Sequence, residues 1–272
     1  MKLKLAQYIA DFLVEQDVRQ NFTVTGGGAM HLNDAFGHKQ GMHCIYNHNE
    51  QASAIAAEAY ARVAGKPALC CVTSGPGGTN AITGVMGGWL DSVPMLILSG
   101  QVKRETTVWS VPELHLRQLG DQEFDIVNSV RNMTKYCAMV TEPNDIAYHL
   151  EKALYLCTAG RPGPVWLDIP LDVQGAQIET DALRHFDSAA VAQVENPVYH
   201  TAFTPQILEH LTAAKRPVLF VGEGVFRGKA QETLLQLVQK LQIPVVTAWN
   251  AHDLVPDENP YYCGRPGSLG TR

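Results

Sequence analysis

Four short apolar runs in the first hundred residues each end in a loop of small and polar residues. The loops read "TGGG" (25–28), "NHNE" (47–50), "TSGPGG" (73–78) and "SGQ" (99–101). This repetition constrains the fold more than any other feature of the chain. An apolar run without polar alternation is a strand covered on both faces, and strands that alternate with helices build parallel pairs. The runs fall near 22–24, 43–46, 68–73, 94–99, 137–140 and 165–169, with helical patterns near 4–17, 29–38, 50–64, 78–90, 122–131 and 144–158. The expected fold class is α/β, a doubly wound parallel sheet. Such sheets bind ligands beyond the C-terminal ends of their strands, where these loops fall.

Beyond residue 172 the pattern fades, and 173–200 reads as a linker between domains. A second α/β start follows over 201–272: a helix at 205–214, a strand at 217–221, the turn "GEGVFRG" (222–228), a helix at 229–241 and a strand at 244–249. Two strands and two helices do not complete a doubly wound domain, so the second domain reads as incomplete and the chain as cut short. The N-terminal "MKLKLAQYIADFLVEQDV" is not read as a signal peptide. Leu5, Ile9, Phe12 and Leu13 fall at helical spacing, and acids interrupt them.

Composition removes several function classes. The net charge is −6 and the basic residues form no stripe, which argues against a nucleic-acid partner. No apolar run approaches the roughly 18 residues that mark a membrane helix. The six cysteines (44, 70, 71, 137, 157, 263) include no C-x-x-C pair, a usage that fits a reducing cytoplasm better than a disulfide framework or a zinc site. His43 and His48 are five apart across a strand-to-loop break, so they form no helical i, i+4 ligand pair. No metal ligand is assigned.

Three motifs carry chemistry. "VTGGGAMH" sets three glycines between a strand and a helix, where backbone can approach a ligand closely and helix N–H groups are free. It is not a P-loop, since no Gly-Lys-Ser/Thr follows, and His31 breaks the dinucleotide fingerprint. Read alone, it is equally a tight turn. "TSGPGGTN" repeats the arrangement, with Thr73 or Ser74 available to cap the next helix. Glu50 stands at the join between the second strand and its helix. An acid in a first helical turn is favoured by the helix dipole by ~0.3–1 kcal/mol, which is the plain reading. Its place beside two glycine loops also suits proton exchange with a heteroaromatic nitrogen.

Together these segments resemble the thiamine-diphosphate-dependent enzyme family, in the acetolactate synthase and pyruvate oxidase group. "FTVTGGGAMHLNDAF", "HNEQASAIAAEAYARVAGKPALCCVTSGPGGTN", "LDSVP", "SGQV", "TKY" and "GRPGPVWLDIP" follow that family's pyrimidine-binding domain. "AKRPVLFVGEGV" and "LQIPVVTAW" resemble its central domain. The resemblance implies a pyrimidine-binding domain over 1–172 and a partial central domain over 201–272. It implies that Glu50 hydrogen-bonds N1′ of the cofactor's aminopyrimidine and so promotes loss of the thiazolium C2 proton. Decarboxylation of a 2-oxo acid and carboligation follow, a transferase or lyase reaction. Thr25, Gly26 and Gly27 of the first loop, and Ser74, Gly75, Pro76 and Asn80 of the second, would contact the cofactor. Gln122, with Asp121 before it, would line the substrate pocket.

Thr25 stands where acetolactate synthases have proline, Asp121 where they have phenylalanine, and Leu171 where they have a lysine. The stretch from Gln101 to Gln122 is also longer than in those enzymes. The family's Gly-Asp-Gly and Asn-Asn segments, which hold Mg2+ and through it the diphosphate, are missing, so this chain alone is expected to be inactive. The family's central domain binds FAD in some members and nothing in others, and its members assemble as homodimers or homotetramers. Two other readings stay open: a non-catalytic or interface subunit, and a nucleotide-binding module resting on "GEGVFRG".

Overall fold

The structure, a computed structural model, describes residues 1–189, 191 and 203–267. It divides into two compact units, Met1–Asn196 and Pro197–Arg272. The strands of the first are β1 (Lys2–Lys4), β2 (Gln20–Thr23), β3 (His43–Tyr46), β4 (Ala68–Val72), β5 (Met95–Gln101), β6 (Tyr136–Met139), β7 (Val165–Pro170) and β8 (Gln177–Glu179). Its helices are α1 (Leu5–Glu15), α2 (Met30–His38), α3 (Glu50–Ala64), α4 (Pro76–Leu90), α5 (Ile126–Val130), α6 (Ile146–Thr158) and the single turn α7 (Leu171–Gln174). Six strands form one parallel sheet in the order β3-β2-β4-β5-β7-β6.

The central strands β4, β5 and β7 are buried along their whole length. Successive side chains on a strand point to opposite faces, and the two cores follow that rule. Leu69, Cys71, Leu96, Leu98 and Leu167 face α1, α2 and α6. Ala68, Cys70, Val72, Met95, Ile97 and Trp166 face α3, α4 and α5. Helices on both faces make the sheet doubly wound, as the apolar runs predict.

α3 begins where Asn49 caps it, its side chain accepting from the Gln51 and Ala52 amides at 2.9 and 3.4 Å. It ends at Gly65, in the left-handed region at φ +66°. Its alanines are spaced to pack. Ala54, Ala57 and Ala61 are buried, and a Cβ on Gly84 of α4 would lie 2.6 Å from Ala54 Cβ and 2.7 Å from the Ile55 nitrogen. This Ala–Gly seam lets two helix backbones approach closely and sets their N-termini side by side.

Three local expectations change. Residues 173–183, read as linker, belong to the first unit: β8 pairs antiparallel with β1, and Val173, Ile178 and Leu183 are buried in its core. A three-residue strand is too short to show a period, so only burial reveals it; residue 190 and residues 192–200 of that stretch lie outside the described residues. The helical pattern at 122–131 narrows to α5, because Asp125 caps it through the Asn128 amide at 3.0 Å and Gln122 takes a positive φ of 58°. α4 starts at Pro76, two residues before the expected 78.

In the second unit β9 (Leu219–Val221) and β10 (Val245–Thr247) form a parallel pair. The helices are Thr204–Ala213, Gly224–Arg227 and Gln231–Leu241, and "GEGVFRG" supplies the short middle one. Leu234, Val238, Val245, Ala251, Leu254 and Val255 form its core. Among the described residues no helix is long and apolar enough to cross a membrane.

Candidate active site

The strand order locates a crevice. From β2 the chain crosses to β3 at the sheet edge, then returns past β2 to β4. The helices that leave β2 and β4, α2 and α4, lie on opposite faces. Neighbouring strands whose connections diverge leave a cleft at their C-terminal ends, and both glycine loops sit there.

The two loops interlock. The Gly28 amide donates to Thr73 Oγ1 at 3.0 Å. A Cβ on Gly26 would fall 2.5 Å from Thr73 Cβ, and one on Gly28 would fall 2.6 Å from Ser74 Oγ. Neither position can carry a side chain without displacing the second loop. Gly27, between them, faces open space, and Thr25 is exposed beside it. Thr73 therefore spends its hydroxyl on the first loop and does not cap α4, as the sequence suggested. Gly75 is the N-cap instead, at φ +53°, with Pro76 as the first helical residue. Ser74 is buried and Pro76 exposed.

Glu50 opens α3 and is half-buried. Asn80, one turn into α4, donates through Nδ2 to Glu50 Oε2 at 2.7 Å. Oε1 accepts no hydrogen bond among the described residues, and it lies over Gly77, where a Cβ would sit 3.6 Å away. The α3–α4 seam thus delivers one carboxylate with one oxygen fixed and one free. Gln122 and Asp121 are exposed, and the Gln122 backbone carbonyl sits so close to Gly75 that a Cβ there would collide with it. The structure therefore brings Glu50 together with Asn80, the first loop with the second, and Gln122 with Gly75.

Sequence reasoning missed a buried polar cluster near the same sheet end. Asp168 is fully buried in β7, opposite Ser99 of β5. Ser99 Oγ donates to Asp168 Oδ1 at 2.6 Å and accepts from Trp166 Nε1 at 2.7 Å. Gln101 Nε2 donates to Asp168 Oδ2 and to the Phe124 carbonyl, both at 2.9 Å. Burial pushes the Asp168 carboxyl up to about 7, against the opposing pull of the Ser99 and Gln101 hydrogen bonds. The signal was a lone acid inside the apolar run "VWLDIP". Among the described residues no three His, Cys, Asp or Glu side chains gather into a metal-binding group.

Residues 3–129 match the family described as thiamine pyrophosphate enzyme, N-terminal TPP binding domain, and residues 205–272 match the thiamine pyrophosphate enzyme central domain. The chain belongs to the thiamine pyrophosphate enzyme family. Within it, the chain is 33% identical over 272 residues to the acetolactate synthase large subunit of Haemophilus influenzae, covering 99% of this chain and 46% of that protein. It is 35% identical over 266 residues to the acetolactate synthase large subunit of Corynebacterium glutamicum, covering 98% and 41%. The probable acetolactate synthase large subunit of Methanocaldococcus jannaschii is 32% identical over 276 residues, covering 99% and 44%. The chain spans less than half the length of each of these relatives.

Proposed function

We propose that this chain supplies the pyrimidine-binding half of a thiamine-diphosphate-dependent enzyme that decarboxylates a 2-oxo acid and ligates the product to an acceptor, as acetolactate synthase does. The observation that carries the reading is the Glu50 carboxylate, held by Asn80 on Oε2 and free on Oε1 at the mouth of the switch-point crevice. A ring nitrogen brought up to this carboxylate would meet that free oxygen.

Bound thiamine diphosphate would supply the carbon nucleophile and the electron sink. The chain's own residues would orient and protonate. Glu50 Oε1 would share a proton with the aminopyrimidine ring. Asn80 would keep the carboxylate from rotating away, since its amide holds the other oxygen. Thr25, Gly26 and Gly27 would form one wall of the cleft, and Ser74, Gly75 and Pro76 the other. Gly26 and Gly28, locked to Thr73 and Ser74, would keep those walls at a fixed separation. Gln122 and Asp121 would border the substrate side. Leu171, which opens α7, brings no cation to this sheet end. This apolar residue, with the acid Asp121, supports a pocket tuned differently from that of acetolactate synthase.

Mg2+ and the diphosphate would be held by a second half that we place outside residues 1–272, in a homodimer or homotetramer, with FAD optional in the central domain. The test is Glu50→Gln in the complete enzyme, read by deuterium exchange at C2 of bound thiamine diphosphate. Exchange should fall to the rate of the free cofactor, and unchanged exchange would sink the role of Glu50. Screening the wild-type enzyme with 2-oxo acids, by CO2 release, then identifies the donor.

A further inference from the structure

The stretch between β5 and α5 has no strand and no long helix, only three short turns at Arg104–Thr106, Val108–Ser110 and Pro112–Leu114. A segment this long without regular structure pays a large ordering cost and needs specific anchors. Two carboxylates provide them. At its start, Asp172 accepts from the Arg104 amide at 3.0 Å and from Arg104 Nε at 2.7 Å. At its middle and end, Glu123 accepts from three backbone amides: Val108 on Oε1 at 2.6 Å, and Leu119 and Gly120 on Oε2 at 2.9 and 3.2 Å. Residues 112–119, between these anchors, are exposed.

Glu123 sits between two fixed points. Directly after it, the Phe124 carbonyl accepts from Gln101, which is itself tied to the buried Asp168. Directly before it, Gln122 holds its positive φ with its carbonyl seated on Gly75. A single carboxylate that gathers three amides forms charge-assisted hydrogen bonds, stronger than neutral ones, and it joins the ends of the loop to the residue beside the crevice.

We infer that Glu123 is a positioning residue: it clasps the 104–120 segment and thereby fixes Gln122 against the Gly75 loop at the edge of the cleft. It touches neither cofactor nor substrate. The substrate-side consequence rests on the function proposed above, which assigns Gln122 to that side; the clasp itself does not.

The test uses Glu123→Ala and Glu123→Gln in the complete enzyme. Alanine removes every acceptor, and glutamine keeps one oxygen. Amide hydrogen exchange of Val108, Leu119 and Gly120 should accelerate about tenfold or more in the alanine variant, the scale of losing a hydrogen bond to a charged group, and by less in the glutamine variant. KM for the 2-oxo acid should rise about tenfold while kcat and C2 deuterium exchange stay near wild type. Asp125→Ala, which removes the α5 cap, is the structural control and should leave both the three amides and KM unchanged. Unaltered exchange at the three amides overturns the clasp. An equal KM rise in Asp125→Ala, or no KM rise in either Glu123 variant, overturns the link to Gln122. If the alanine variant does not fold, the glutamine variant gives the same readings. Absence of C2 exchange in the wild type would count against the proposed function, while the amide readings would still judge the clasp.

Discussion

Glu50 and Asp168 both stand toward the C-terminal end of the parallel sheet, Glu50 just beyond β3 and Asp168 within β7, yet only Asp168 is sealed from water. Position along the strand makes the difference. Past the last strand residue, the chain turns into a helix start, and the carboxylate keeps one oxygen free beside Gly77. Inside a central strand, the same chemical group is covered by helices from both faces. Asp168 has only neutral donors as partners, Ser99 and Gln101, so its oxygens are satisfied but its charge is not compensated. One acid is left available for chemistry, and the other ties β5, β7 and the chain at Phe124 into one block.

The sharpest way to break this contrast is to remove the charge of Asp168. Its carboxyl binds a proton more tightly in the folded protein, near 7, than in the unfolded chain, near 3.8. Its contribution to stability is therefore complete below about pH 4 and is lost as pH rises through about 7, an effect of roughly 4 kcal/mol. Denaturation between pH 4 and 7 should show this slope in the wild type, and Asp168→Asn, which keeps the shape and one acceptor, should flatten it. Equal slopes would mean that Asp168 is not the buried acid described here.

A smaller effect tests the other side. Gly84→Ala should cost about 1–3 kcal/mol, because the new methyl meets Ala54 and the Ile55 backbone. Urea midpoints would show it, and no loss would mean that the Ala–Gly seam does not set the α3–α4 distance. The smallest change is expected at the site itself. Glu50→Gln should leave unfolding stability within ~0.5 kcal/mol of wild type, because the side chain is half-exposed and its Asn80 partner can re-pair with an amide oxygen. A large loss would make Glu50 a structural residue like Asp168.

The sheet was legible because its strands are uninterrupted apolar runs and its helices have caps that can be read, such as Asn49 and Gly65. The glycine loops were legible as a pair, but not their interlock. That Thr73 answers Gly28 instead of capping α4 depends on the register of β2 and β4, which no local pattern carries. Gln122 reads as helical because apolar residues from 124 onward mimic that period, while its positive φ accompanies contacts made beyond the segment: its carbonyl lies against Gly75, and the next residue, Glu123, accepts from the Leu119 amide. β8 was hidden in polar sequence, since one buried isoleucine in three residues sets up no pattern. The Asp168 cluster joins residues 67 to 69 apart in the chain, and such pairings become visible only once the strands are aligned.

The Ala–Gly seam and the glycine interlock also bear on how this site can change over evolutionary time. On the side of Glu50, almost every substitution at Gly26, Gly28, Gly75 or Gly84 meets a neighbouring backbone or a short side chain, so that wall has little room to drift. On the side of residues 112–119, exposed side chains hang between fixed anchors and can be exchanged without disturbing a core. Random mutagenesis should therefore yield many folded variants in the tethered stretch and mostly unfolded ones along the seam. The architecture separates a wall that tolerates little change from a stretch that tolerates much.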